Sequence, residues 1–343
     1  MRIAVFEVES WERKAFERLE GRHELTLTEH PVKPDTVDEF TEAEAICPFI
    51  HSDLSAESLE RFPHLKLVAT RSTGIDHVDR SYCEEHDVVV CNVPTYGEST
   101  VAEHVFALLL TISHNTFHAI DRTRKGDFSM QGLRGFDLVG KTIGVIGTGS
   151  IGEHVIRIAS GFGMHVIAFD VKPREELARE LGFIYQPLDR LLADADVITL
   201  HVPGTPKTRN MISHDQFQGM KDGAVLINTA RGCIVDVQAL MQALADGKVC
   251  AAGLDVLPEE PAVREEAELL HSFFQKKHNL ETLLANHVLL RLRNVYITPH
   301  SAFCTQEAVR RILDVTIGNI EAFDRGDPQN VAVGATVNAR NMD

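Results

Sequence analysis

Short runs of apolar, β-branched residues alternate with stretches of helical periodicity along the chain. Arg2–Phe6, Ala45–Pro48, Leu65–Thr70 and Val88–Cys91 read as strands, with helices near Trp11–Leu19, Ala56–Arg61 and Val78–His86. A second series follows: Thr142–Ile146, His165–Phe169, Val197–His201, Ala224–Asn228, Ala251–Leu254 and Val295–Thr298, again with helices between most members. Short, continuously apolar strands bounded by helices bury both faces. The pattern predicts parallel sheets covered on both sides, the doubly wound α/β class.

Two series imply two domains. Between them, Ser99 to about Lys125 reads as one long crossing helix, with Ser99 as a capping start. A last helix, about Thr305 to Asp324, stops before Gly326 and Pro328. If it returns to the first sheet, the second domain is an insertion in the first. Residues 1–98 plus 301–343 then form one domain and 99–300 the other. The tail after Val331 shows no periodicity and is expected to be loosely held.

Composition narrows the classes of function. A chain of 343 residues, 44% hydrophobic, has the material for two ordinary cores. Its 34 Lys plus Arg against 50 Asp plus Glu give −16, which repels phosphate backbones and anionic lipid. No nucleic-acid or membrane partner is therefore expected, although a local cationic pocket for a small anion stays open. Met1–Glu7 lacks a basic region followed by a long apolar run, so no signal peptide is read there. Val101–Ile112, the longest apolar stretch, carries Glu103 and His104 and is too short for a bilayer. Cysteines 47, 83, 91, 233, 250 and 304 show no C-x-x-C spacing and fit a reducing, cytoplasmic setting.

Candidate chemistry starts at Gly147-Thr148-Gly149-Ser150-Ile151-Gly152, which follows a strand and opens a helix. The glycines suit a tight turn, backbone approach to a pyrophosphate and close helix–strand packing, and the helix N-terminus offers N–H groups to phosphate. Asp170 ends the next strand, 18 residues beyond Gly152. A carboxylate there accepts from ribose hydroxyls and repels a 2′-phosphate, so the expected cofactor is NAD. Lys172 and Arg174, just beyond, are cations able to soften that preference.

Three further segments end successive strands: Asn228-Thr229-Ala230-Arg231-Gly232, Gly253 to Pro261, and Thr298-Pro299-His300-Ser301-Ala302-Phe303. Ligands bind at such ends in doubly wound sheets. Together with Arg71-Ser72-Thr73-Gly74-Ile75-Asp76 and Asn92-Val93-Pro94-Thr95-Tyr96-Gly97, the pattern resembles the D-isomer-specific 2-hydroxyacid dehydrogenase family over essentially the whole chain. The resemblance implies a Rossmann NAD-binding domain inserted into a flavodoxin-like substrate domain, in a homodimer. It also implies catalytic Arg231, Glu260 and His300, with cofactor contacts from His201, Val202, Pro203, Thr229, Ala230 and Asp255 besides the glycine motif. Asp255 is expected either to hold the nicotinamide carboxamide or to tune the histidine.

The residue types suit that chemistry. A planar guanidinium grips a carboxylate bidentately while polarising the adjacent carbonyl. An imidazole titrates near neutrality and exchanges a proton with the substrate oxygen, and a carboxylate bonded to it fixes its tautomer. The implied reaction is reversible hydride exchange between NAD(H) and a 2-oxo or 2-hydroxy acid.

Thr73 and Gly74 resemble the loop that offers N–H groups to the substrate carboxylate, while Tyr96 and Phe303 match pocket positions of the D-lactate dehydrogenase branch. Phe49 is a further candidate wall. Residues 46–53 contain no Arg or Lys, which argues against a phosphorylated substrate. D-Lactate/pyruvate is the first expectation, glyoxylate or hydroxypyruvate reduction the alternative, and a nucleotide-sensing corepressor-like scaffold the reading from another class.

An excursion between Pro261 and Asn294 carries an apolar stripe at Leu269, Phe273, Leu280 and Leu284, which suggests an added amphipathic helix. No metal is expected. His114 and His118, four apart, read as a packed face of the long helix.

Overall fold

The computed structural model describes residues 1–33, 37–258 and 280–334. The chain falls into two compact units, Met1–Tyr96 with Thr305–Asp343, and Gly97–Cys304.

In unit 1, strands β1 (Arg2–Val5), β2 (Glu24–Leu27), β3 (Ala45–Cys47), β4 (Leu67–Ala69) and β5 (Val89–Cys91) are parallel in the order 2-1-3-4-5. That is the flavodoxin-like order. Ala4, Phe6, Ile46, Val68 and Val90 gather in one core. The helix Gln306–Asp324 packs on β4 and buries Ile312, Leu313, Ile317 and Ile320. Thr305 starts it, its hydroxyl accepting the Ala308 N–H at 3.2 Å.

Unit 2 carries β6 (Thr142–Ile146), β7 (His165–Phe169), β8 (Ile184–Tyr185), β9 (Val197–Leu200), β10 (Ala224–Asn228), β11 (Val249–Leu254) and β12 (Val295–Ile297). All pairings are parallel, in the order 12-11-10-9-6-7-8. This is the dinucleotide-binding order with one strand added, and β6 and β9 flank its reversal point. Successive residues alternate between the faces: Ile198, Leu200 and Leu226 enter one core, Val197, Val225 and Ile227 the other. Both faces are covered, and the strands are accordingly apolar throughout.

Five local expectations are corrected. The long helix is two, Glu98–Ser113 and Thr116–Arg124, because the Phe136 N–H takes the Ser113 carbonyl at 2.9 Å and Asn115 turns left-handed, φ +51°. His114 and His118 therefore do not share a helix face, and His118 Nε2 meets the Arg293 carbonyl at 2.8 Å. The first of these helices is capped at Gly97, which leaves Ser99 inside its first turn.

The tail is not loose from its start: β13 (Val331–Val333) pairs antiparallel with β5. In the excursion, helix Leu280–Leu289 forms, but Leu284 is 58% exposed while Ala285 and Leu289 are buried. Leu269 and Phe273 lie outside the described residues.

Candidate functional site

The β6 turn is built for close approach. Gly147 has φ +95°, and a Cβ on it would stand 2.6 Å from the His201 carbonyl oxygen. A Cβ on Gly152 would lie 2.1 Å from the Gly147 oxygen, so only glycine lets helix Ser150–Gly161 seat on its strand. Gly149 differs. Its φ is −61° and its Cβ would point into open space, so the protein itself does not require glycine there. The open space lies at the helix N-terminus, whose free N–H groups and dipole suit an anion.

Asp170 is held by its neighbours. Its Oδ2 accepts the Thr148 N–H at 2.7 Å and the Thr148 hydroxyl at 3.1 Å, and Oδ1 accepts the Lys172 N–H at 2.9 Å. Partial burial pulls its pKa upward, but these hydrogen bonds outweigh it and hold the carboxyl below the ordinary aspartate value. Arg174 is committed elsewhere, to the Thr148 carbonyl and to Glu153 at 3.1 Å.

His201 ends β9 with its Nε2 2.9 Å from the buried Thr199 hydroxyl. Burial pushes the imidazole down to about 3, so the ring is neutral at working pH. Val202 packs at the edge of the core, its Cγ1 3.0 Å from where a Gly147 Cβ would stand, and Pro203 follows in the same loop.

At the end of β10, Asn228 shapes the next turn. Its Oδ1 accepts the Ala230 N–H and its Nδ2 donates to the Arg231 carbonyl, both at 3.0 Å. Thr229 Oγ1 is buried without a hydrogen-bond partner among the described residues, an orphan that a ligand polar group would satisfy. Arg231 is partly exposed, with Nη1 on the Ala230 carbonyl at 2.8 Å. A Cβ on Gly232 would stand 2.1 Å from the Leu257 carbonyl carbon, so this turn lies directly against Leu257–Pro258. That segment leads to Glu260, which lies outside the described residues.

Asp255, 1% exposed, organises the third loop. Its carboxylate accepts from the Thr298 hydroxyl and from the N–H groups of Ser301 and Ala302, both at 2.9 Å. Its carbonyl accepts the His300 N–H at 3.0 Å, and its own N–H donates to the Asn228 carbonyl at 2.9 Å. His300, partly exposed, sits left-handed at φ +52°. Asp255 thus joins the histidine loop, held by its carboxylate and carbonyl, to the arginine turn, reached by its N–H. His104 joins it from helix Glu98–Ser113, with Nε2 3.0 Å from the Thr298 hydroxyl and 3.5 Å from Asp255. Sequence reasoning passed over His104, Thr298 and Asn228; a lone histidine in an apolar run was their one visible signal.

Unit 1 carries the other candidates. Every carbonyl of the Ser72–Gly74 turn is engaged: Ser72 by the Val93 N–H, Thr73 by Asn92 at 2.7 Å, Gly74 by the Ser72 hydroxyl at 2.6 Å. Phe49 is half-buried, its ring 5.2 Å from the Arg71 guanidinium carbon. The Tyr96 carbonyl accepts from Arg311 at 2.7 Å. Phe303 belongs to unit 2.

Comparison with known proteins agrees with this geometry. The sequence profile of the D-isomer-specific 2-hydroxyacid dehydrogenase NAD-binding domain matches residues 106–302. A 2-hydroxyacid dehydrogenase homolog of Haemophilus influenzae is 37% identical, over 95% of this chain and 97% of its own length. D-Lactate dehydrogenase of Escherichia coli is 34% identical, over 95% and 98%. The structure of D-lactate dehydrogenase from Aquifex aeolicus complexed with NAD and lactic acid superposes with a TM-score of 0.84 at 36% identity, covering 97% of this chain and 99% of that one. Proteins named glycerate dehydrogenase and glyoxylate reductase are also similar, so the likeness fixes the substrate class and leaves its side chain open. The chain belongs to the D-isomer-specific 2-hydroxyacid dehydrogenases, NAD-dependent oxidoreductases built on a Rossmann domain and a second parallel-sheet α/β domain.

Proposed function

We propose that the chain reduces a small 2-oxo acid with an uncharged side chain, pyruvate foremost, to its D-2-hydroxy acid and runs the reverse reaction. The observation that carries this is Asp255, which ties the turn presenting Arg231 to the loop presenting His300. Bound NADH supplies the hydride. Arg231 grips the substrate carboxylate and polarises its carbonyl, and the His300 imidazole delivers the proton to the carbonyl oxygen, with Glu260 as its carboxylate partner. The amides of Thr73 and Gly74, in a turn whose carbonyls are all engaged, are further donors to the carboxylate.

Gly147 to Gly152, Asp170, the His201–Pro203 segment and Thr229–Ala230 serve the cofactor. Phe49, Tyr96 and Phe303 bound the substrate side chain. Arg71, the cation over Phe49, is buried against Glu12, which disfavours a phosphorylated acid.

A kinetic screen tests both specificities. With NADH, pyruvate is expected to give the highest kcat/KM among pyruvate, longer 2-oxo acids, glyoxylate and hydroxypyruvate; hydroxypyruvate in first place would overturn the lactate reading. With NADPH the value is expected to fall at least about tenfold, because Asp170 faces the added phosphate. Asp170→Ala is expected to narrow that gap, and equal use of the two cofactors by the unaltered protein would refute the NAD preference.

Phe117, Ile120, Phe128 and Met130 in unit 2 are 59%, 49%, 79% and 85% exposed. Large apolar side chains left this exposed favour a homodimer, and sedimentation at twice the chain mass is the expected result. The six cysteines are free thiols, which supports a cytoplasmic site of action. Among the described residues, no helix is long and apolar enough to cross a membrane.

A further inference from the structure

Arg71 opens the Ser72–Gly74 turn and is the largest fully buried side chain of the described residues, 1% exposed. Burying a guanidinium is costly unless its charge and donors are met; here the charge and both Nη groups are met, while Nε has no hydrogen-bond partner among the described residues. Nη1 bonds both oxygens of Glu12, at 2.8 and 2.9 Å, and Glu12 is itself 7% exposed. Nη2 donates to the carbonyls of Phe6 and Glu7, the latter at 2.9 Å. The Arg71 N–H donates to the Pro48 carbonyl at 3.0 Å, and its guanidinium lies over the Phe49 ring.

Glu7 extends the arrangement. It is left-handed, φ +55°, and its carboxylate accepts the N–H groups of Phe49 at 3.1 Å and His51 at 3.0 Å, besides the Ser52 hydroxyl. Three loops at the C-terminal ends of β1, β3 and β4 are thus pinned to one guanidinium. Two of them carry the Phe49 wall and the Thr73–Gly74 donors.

We propose that Arg71 is a positioning residue for substrate selection: paired with Glu12, it fixes the Thr73–Gly74 turn and the Phe49 wall at one spacing. This rests on the reading above that these residues meet the oxo acid. The fork geometry is essential, because a lysine ammonium keeps the charge but cannot serve both Glu12 oxygens and two carbonyls at fixed angles. Loosening the turn and the wall acts on substrate binding and on discrimination by side-chain size. NADH, held by unit 2, is untouched.

The test is Arg71→Lys and Glu12→Asp in the full-length protein, followed by thermal unfolding, NADH affinity, and kcat and KM for pyruvate and 2-oxo-4-methylpentanoate. For Arg71→Lys, the pyruvate KM is expected to rise about 10–100-fold, the cost of displacing a positioning group by an ångström or less. NADH affinity is expected to hold, kcat to change by less than about threefold, and the preference between the two acids to shift. Glu12→Asp, which retains the charge, is expected to lie between it and the unaltered protein, and it carries the test alone if Arg71→Lys does not fold. Folded variants with unchanged KM and unchanged preference overturn the positioning role, as does a fall in kcat at constant KM. An unaltered protein that reduces no 2-oxo acid overturns the underlying reading itself, a separate and recognisable result.

Discussion

Replacing His300 by glutamine is expected to lower kcat for reduction by about 10²–10⁴, the usual worth of a positioned acid–base group, while NADH affinity is retained. Glutamine approximates the size of the ring and keeps a hydrogen-bonding tip, but it cannot deliver a proton. The backbone that presents it does not depend on the imidazole: the His300 N–H is held by the Asp255 carbonyl, and Ser301 and Ala302 are held by the Asp255 carboxylate. The loss should therefore fall on chemistry rather than on folding. The pH profile gives a second readout. Reduction consumes the protonated imidazole, so kcat/KM for the oxo acid is expected to fall as pH rises; oxidation needs the neutral form and is expected to rise with it. His201, pushed down to about 3 by burial, stays neutral there and does not confuse the profile. In His300→Gln both limbs are expected to flatten. Near-normal kcat, or an unchanged pair of limbs, would remove His300 from the mechanism.

The legibility of this molecule follows the range of the interactions involved. β6, β9 and β10 are apolar because both faces are covered, and their bounds could be read to within a residue. β2 is an edge strand, Glu24–Leu27, whose residues are exposed or half-buried, so it lacks the continuous apolar run that marks the buried strands. β8 is two residues long and β13 depends on pairing with β5, so neither has a local signature. The break after Ser113 has no proline or glycine to announce it, since the Phe136 N–H that ends the helix comes from 23 positions downstream. The site divides in the same way. The glycine motif with its acidic residue, Arg231 and His300 stand out through residue type and place at strand ends. The group that holds the last two loops together does not: Asn228 meets the Arg231 carbonyl and the Asp255 N–H, while Thr298 and His104 meet the Asp255 carboxylate, contacts that join distant segments.

That carboxylate sets the other large expected effect. Asp255→Ala would leave the Ser301 and Ala302 amides without an acceptor in a largely buried place and the Thr298 hydroxyl with His104 alone. At about 1–3 kcal/mol for each unsatisfied group, partly recovered by relaxation, a loss of about 3–5 kcal/mol of stability is expected. The loop also contains His300 at φ +52°, a conformation that costs a non-glycine residue about 1–2 kcal/mol and persists only where its surroundings enforce it. Without Asp255 the loop has reason to relax, and kcat should drop about 100-fold or more as the imidazole leaves its position. Asp255→Asn separates the two roles open to this residue. Its amide oxygen can replace either Oδ1 or Oδ2 but not both, so one side of the loop faces an N–H donor instead of an acceptor; the Thr298 hydroxyl can reverse, but the Ser301 and Ala302 amides cannot. If Asp255 acts by holding the His300 loop, Asp255→Asn loses kcat and some thermal stability while NADH dissociation is unchanged. If it acts by holding the nicotinamide carboxamide, NADH affinity falls first and the loop stays in place. The closed ring of donors around a carboxylate only 1% exposed favours the first outcome. Stopped-flow NADH binding beside steady-state kcat decides it, and a variant with full kcat but weakened NADH binding would transfer Asp255 from the histidine loop to the cofactor.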